Sequence, residues 1–459
     1  MALNLHQPGS SKCQHPPLPK LSSAKEDSAT VQETPCSAYP DGGRDAWTVV
    51  VGAWCCVFVS VGWVACVGDF QSYYQANQLK AYSPSAIGWI PSTQTFLLFA
   101  LSPVFGHVFD GYGPRPLLVA GTVVHIVGLV LLSLGTRYYQ IFLAQSICSA
   151  AGASAVFWAG SLAVCTWFRR RRGFAMGLAA SGSAVGGVAG TLADPVLLAR
   201  AGYANALRVI AFAYLGLLVV SLLTVRSRLP HKPSRLSLSG FACQYKDPCV
   251  LVFSLAGLFL LLGLYLPYDY LALDALGSGM PPGRAMYLLV VLNATGIIGR
   301  IVPAWLCDRV GRFNVIILCT FAAALLVSGL WLPSTSDATR FVFAALYGVP
   351  SAALLSLLPT LVSQVLPEGG RLGSHTGAVF LFMSPGFLFT LPIGGSLLGG
   401  TESAPYMQSA PMKIFCGLAM AVGGAGFVVA RALHVRARRR DAGGAEHHIR
   451  HVTVRVYLA

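Results

Sequence analysis

The sequence predicts an all-α membrane protein: twelve transmembrane helices in two pseudo-symmetric six-helix bundles. Three observations predict it: the composition, the recurrence of apolar runs of one length, and the alternation of basic residues between loops. Hydrophobic residues make up 55% of the 459 and charged residues only 11%, less than half of the roughly 25% charged in a soluble chain. With a mean hydropathy of +0.63, this excludes a disordered chain, a coiled coil and most soluble enzymes. The 12 Cys lie scattered in apolar stretches with no Cys-x-x-Cys pair and no metal spacing, and read as reduced thiols.

Residues 1–46 hold no apolar run and are rich in Pro and Ser. They read as a disordered cytoplasmic tail without a signal peptide, so the first span serves as the targeting signal. Apolar stretches then recur at 47–69, 86–106, 116–136, 140–166, 173–193, 205–225, 248–268, 285–305, 313–333, 339–359, 375–398 and 412–432. Their length suits a tilted helix crossing a bilayer. The two-residue alternation of a barrel is absent. The longest internal break, 226–247, is basic and carries Pro and Ser. It reads as a cytoplasmic linker between an N-terminal bundle (47–225) and a C-terminal bundle (248–432), with a basic cytoplasmic tail at 433–459.

The net charge of +15 comes from 32 Lys and Arg against 17 Asp and Glu. Most of the basic residues fall on one side of the predicted topology: the N-terminal tail, Arg115, Arg169 to Arg172, the 226–247 linker, Arg309, Arg312, Arg371 and the C-terminal tail. That bias places both termini in the cytoplasm and requires an even number of spans. The excess charge is thus an orientation signal, and no nucleic-acid partner is implied.

A weak internal repeat supports the two halves. Gly106 to Arg115 (GHVFDGYGPR) follows the second span and Ala304 to Arg312 (AWLCDRVGR) the eighth. Each places a small residue four before an Asp (Asp110, Asp308) and a Gly three after it. The Gly suits a tight turn between helices. The Asp can accept from the N-terminus of a helix or from a facing Arg. With Arg115, Arg309, Arg312, Arg170 and Arg171 these acids form a candidate gate; solvated turn charges are the plainer reading. Matched halves characterise carriers that rock about a central site.

These loops resemble the signature loops of the major facilitator superfamily. Two further motifs resemble its monocarboxylate-transporter branch, particularly fungal members: Asp41-Gly42-Gly43-Arg44-Asp45-Ala46-Trp47 before the first span, and Trp167-Phe168-Arg169-Arg170-Arg171-Arg172-Gly173-Phe174-Ala175-Met176-Gly177 entering the fifth. The resemblance covers about residues 40 to 432. It implies the major facilitator fold, alternating access and a small organic anion as substrate.

In the fifth span Gly182, Gly186 and Gly190 recur every four residues, beside a second row of small residues: Ala175, Ala179, Ser183, Gly187 and Thr191. Such rows let helices approach closely in lipid. Static packing is one reading. The family fold, in which this helix meets the eighth across the halves, implies a moving contact.

Arg300 lies inside the predicted eighth span, where a lone Arg costs a few kcal/mol. Asn293, Gly296 and Arg300 share one helix face. On the residues alone two readings stand: a bidentate carboxylate-binding Arg, or an Arg snorkelling to a helix end about five residues away. The family carries an Arg at the matching place, implicated in anion binding. Its lactate carriers place an Asp one turn earlier, where this chain has Gly296, and a Lys in the first helix, where Gly62 to Val67 has none. Usual proton–lactate symport is therefore not expected, and Asp69 is the candidate replacement proton carrier. His125, mid-span, reads as a core residue. Tyr73, Trp89 and Gln94, near the outer half, are candidates to shape a pocket larger than lactate needs; aromatics there also form interface belts.

No Walker loop, Gly-x-Ser-x-Gly or His-Glu-x-x-His occurs, so no ATP-driven or catalytic chemistry, cofactor or metal is expected. The expectation is a gradient-driven or facilitative plasma-membrane carrier of a small organic anion or carboxylated metabolite, with a co-transported proton possible and membrane lipid as surroundings. An exporter of a secondary metabolite with the same fold and a non-transporting nutrient sensor are the alternatives.

Overall fold

The computed structural model describes residues 39–228, 233, 238–365, 371–401 and 404–446. The expected tail at 1–38 and the histidines from 447 onward lie outside the described residues. Among the described residues ten helical segments are long and apolar enough to cross a membrane. One of them, Arg172–Thr224, is interrupted at Gly202, where φ is +75°; it supplies the fifth (172–201) and sixth (203–224) spans. The second span is built from two helices, Pro84–Ala100 and Ser102–Tyr112, meeting at Leu101 just before Pro103. Twelve passages result.

The first span is Arg44–Ala76, the third Pro114–Leu134 and the fourth Tyr138–Trp167. The seventh is Pro248–Gly277, the eighth Pro282–Val310, the ninth Arg312–Trp331, the tenth Asp337–Val365, the eleventh Leu372–Leu397 and the twelfth Ala410–Glu446. A hairpin of β1 (Gly399–Thr401) and β2 (Ala404–Gln408) joins the last two. Several helices outrun their predicted bounds. The eighth continues to Val310 rather than 305, the seventh to Gly277 rather than 268, and the twelfth to Glu446, so helix carries well into the predicted C-terminal tail. A polar helix end needs only solvated headgroups and water, so hydropathy marks the lipid-crossing part and not the helix end. The linker contains a short helix, Leu238–Cys243.

Helices dominate because lipid offers backbone N–H and C=O groups no partner. Large apolar side chains accordingly face outward, among them Phe212, Leu223 and Leu325. Two clusters of inward polar groups find their partners within one half. In the N-terminal half Tyr74 donates to Gln145 (2.8 Å) and Gln145 Nε2 donates to Gln94 Oε1 (2.8 Å). Gln145 sits in a π-helical stretch of the fourth span. His125 Nδ1 lies 3.0 Å from the Ser149 carbonyl and joins the third and fourth spans as a buried core residue. In the C-terminal half Asp274 takes Lys413 Nζ at 3.0 Å, Arg340 Nε at 3.7 Å and the Trp331 indole N–H at 3.1 Å. These networks weld helices within a half.

Candidate functional site: latches and a central cavity

The repeated loops turn the chain between spans two and three and between eight and nine. Gly113 and Gly311 take φ of +81° and +100° there, conformations that a side chain makes costly. Asp110 and Asp308 reach across to the opposite half. Asp110 accepts from the backbone N–H of Gly373 (2.9 Å) and Ser374 (2.8 Å) and from the Ser374 hydroxyl (2.8 Å). Asp308 accepts from the N–H of Gly173 (3.0 Å) and Phe174 (2.9 Å). Each acid therefore caps the first turn of a helix in the other half, the eleventh and the fifth, where free N–H groups and the helix dipole favour a carboxylate.

The small residue four before each Asp has a steric role. Gly106 lies backbone to backbone on Gly373, and Ala304 packs on Gly173 and Gly177. Three more bonds join the halves at this end: Ser102 to the Gly377 carbonyl (2.8 Å), Arg172 to Ser363 (2.8 Å) and Arg312 to the Arg169 carbonyl (3.4 Å). The face that carries the arginines is thus shut.

Among the other predicted gate residues, Arg312 also lies 3.9 Å from Asp308. Arg115 is exposed, and Arg309 stacks over Trp305 at 4.0 Å. Arg170 and Arg171 point their side chains outward and contribute backbone instead. The N–H groups of Arg169, Arg170 and Arg171 lie 2.7, 2.8 and 3.4 Å from Asp41 Oδ1. The two branch-like motifs therefore form one structure, with Trp47 packed on Phe168 at 5.2 Å. Asp41 as an anchor was missed in the sequence, although it stands in the quoted motif.

The glycine row follows the static-packing reading, not the moving contact with the eighth span that the resemblance implied. Gly182 and Gly186 pack on the first span, against Trp54, Phe58 and Gly62, and Gly190 meets Cys66 there. All of these lie within the N-terminal half. The face that meets the eighth span is a different one: Gly173, Gly177 and Gly187 approach Ala304, Arg300 and Asn293.

Away from the shut face a cavity of about 570 Å³ opens between the halves toward the opposite end. Gln71 and Gln75 of the first span, Asp269 of the seventh, and Asn293 and Arg300 of the eighth line it. A smaller chamber of about 40 Å³ lies beyond, lined by Phe99, Phe157, Phe380 and Phe387 and again by Arg300. Phe99 stacks on Phe387 at 4.5 Å across the halves, and Phe387 borders both chambers. Arg300 also borders both chambers. It is 4% exposed, and its Nη1 has no hydrogen-bond partner. Among the described residues no carboxylate pairs with it. The helix continues ten residues past Arg300 to Val310, about 15 Å at 1.5 Å per residue, so snorkelling to that end does not describe it.

The remaining predicted pocket residues fall elsewhere. Gln94 is buried in the bond to Gln145, Tyr73 stacks on Tyr203 at 5.4 Å, and Trp89 is an exposed apolar side chain. None of the three lines either chamber. Asp69 belongs to the first span, but its side chain lies outside the described residues. Sequence reasoning passed over Asp269.

Twelve helices, two matched halves and a cavity with one shut end define a membrane transporter. The chain belongs to the Major Facilitator Superfamily, whose family description matches residues 51–389. It is 42% identical to the MFS transporter asaE of Aspergillus flavus over 88% of this chain and 90% of that one. It is 40% identical to the fujikurins efflux protein of Gibberella fujikuroi over 87% and 85%, and 34% identical to the aspyridones efflux protein apdF of Emericella nidulans over 84% and 77%. In fold it is similar to a variant of the Escherichia coli fucose:proton symporter FucP, with a TM-score of 0.64 and 16% identity over 85% of this chain and 98% of that one.

Proposed function

We propose that this protein exports a secondary metabolite of drug-like size that carries an acidic group, by alternating access. The observation that carries the proposal is the cavity of about 570 Å³ with the unpartnered Arg300 at its floor. Pockets of roughly 300–1,000 Å³ suit drug-sized ligands, and a lactate-sized acid would leave most of this one filled with water. The relatives named as efflux proteins favour export over the uptake of a small carboxylate. The branch motifs still suit an anion-handling relative of the monocarboxylate carriers. In this reading the arginine-rich face is cytoplasmic, both termini lie there, the membrane is the plasma membrane and the conformation is open outward. The chain is a carrier and not an enzyme, and a proton gradient is the natural driving force.

Arg300 supplies a planar fork that engages a carboxylate or enolate through two hydrogen bonds. Its position between the chambers lets one group serve the anion from either side as Phe99 and Phe387 part. Counterflow in proteoliposomes tests this with a panel running from lactate to aryl-aliphatic carboxylic acids. The larger acids should exchange, and Arg300→Gln should abolish their exchange at unchanged protein level. Exchange of lactate alone, or unaltered rates in Arg300→Gln, would overturn the proposal. Binding without any counterflow would favour a sensor.

A further inference from the structure

We propose that Asp269 is a second anchor in the same cavity, and that the substrate is amphoteric. Its acidic group would engage Arg300 and a protonated amine would engage Asp269. The inference rests on the reading of Arg300 as the anion site.

Among the described residues lining the larger chamber, Asp269 and Arg300 are the two with formal charge. Asp269 is exposed to the chamber, and no hydrogen bond or ion pair to another described residue holds its carboxylate. Its neighbours are held and fix it in place. Tyr268 lies 3.1 Å from the Ser351 hydroxyl of the tenth span, and Tyr270 donates to the Leu391 carbonyl of the eleventh (2.8 Å). The next acid of this helix, Asp274, is consumed by Lys413, Arg340 and Trp331.

Asp269 and Arg300 form no ion pair with each other. Tyr265 lines the same chamber, with its ring packed on Phe387 at 5.2 Å. Two opposite charges are therefore held apart in one chamber, each lacking a protein partner.

Alternating access makes this arrangement selective. When the open end closes, water leaves and an unpaired carboxylate becomes a buried charge, which is costly. A simple anion satisfies Arg300 and leaves Asp269 stranded. A molecule that brings a cation to the other end satisfies both groups and leaves a neutral, closed chamber.

The test uses the purified full-length protein and two probes that differ by a single amino group. One is a biphenyl carboxylic acid with an aminomethyl group at the far end, and the other is its methyl counterpart. The wild-type protein should bind the aminomethyl acid at least about tenfold more tightly, the scale of one hydrogen bond to a charged group. Asp269→Asn should weaken the aminomethyl acid by about the same factor and tighten the methyl acid, because a repulsive charge is gone. That opposite response also shows that the variant is folded. Arg300→Gln should weaken both probes.

Equal binding of the two probes by the wild type overturns the inference, as does a preference that survives in Asp269→Asn. Calorimetry in buffers of different ionisation enthalpy adds one more outcome. If the methyl acid binds with uptake of a proton that Asp269→Asn abolishes, the carboxylate is neutralised by a proton and the amphoteric substrate is refuted. Arg300-dependent binding of the methyl acid without any amine preference removes this inference alone. Binding that ignores Arg300 removes the anion site beneath it.

Discussion

Replacing Asp110 by Asn exchanges one carboxylate oxygen for an NH2 group and should unlatch the arginine-rich face. The carboxylate accepts three hydrogen bonds from the opposite half, two of them from backbone N–H groups of Gly373 and Ser374. An amide in its place can accept one N–H through its oxygen but turns an NH2 toward the other, and the remaining bond loses its charge assistance. Hydrogen bonds to charged groups contribute about 1.5–3 kcal/mol each. The site is only half-buried, so water recovers part of the loss and a net cost of about 2–3 kcal/mol is expected. At 1.4 kcal/mol per tenfold, that moves the latched-to-open ratio by about 30- to 140-fold. A population about 99% latched would fall to roughly 40–80%. Nitroxides on cysteines replacing Arg115 and Arg309, exposed and in different halves, would report it by pulsed dipolar spectroscopy in a background freed of native cysteines. A new longer-distance population should appear. Asp308→Asn should act in the same direction, and the double variant should combine both energies, since the latches share no partner. An unchanged distance distribution in Asp110→Asn would show that these bonds form without deciding the equilibrium.

Two glycines of one helix should answer differently. In Gly177→Ala the added methyl meets the Arg300 carbonyl and Ala304 across the halves, so the same spin-label pair should shift toward the open distance. In Gly186→Ala the methyl meets Gly62 and Phe58 of its own half; it should leave the distances alone and lower the melting temperature, overpacking costing about 1–3 kcal/mol. The reverse pattern would reassign the two rows. Asp274→Asn leaves the buried Lys413 and Arg340 without their carboxylate and should cost about 3–5 kcal/mol of stability in detergent melts; a variant as stable as the wild type would show that the network serves something other than cohesion.

The spans were legible because lipid imposes both their length and their helical form, and the alternation of basic loops fixed their even number. The repeat around Asp110 and Asp308 was legible as spacing. Their partners were not, since Gly373 and Gly173 lie far away in sequence and offer only backbone. The glycine row shows the limit of periodicity. Gly182, Gly186 and Gly190 mark a face open to close approach, but nothing in the spacing says whether the first or the eighth helix fills it. Gln94 stands out in the sequence as an amide inside a span, but Gln145, 51 residues on in the fourth span, absorbs it. Asp269 was hidden by a boundary: the predicted seventh span stopped at 268, which left the acid in a supposed loop, whereas the helix runs on to Gly277.

The polar groups divide by the job their burial permits. Lys413, Asp274 and Arg340 are each 3–5% exposed at the side chain, and parting them would strand charges in a dry interior, so they suit a bond that never opens. Asp110 and Asp308 sit at a membrane face, where the carboxylates and the helix N–H groups they cap can both be taken up by water when the halves part. The exchange of a protein partner for water leaves a net difference of only a few kcal/mol. An alternating carrier needs that balance, because a state held much more firmly would trap the cycle. Two such caps related by the internal repeat, and no buried ion pair between the halves among the described residues, keep the closed state within reach of the binding energy of one substrate.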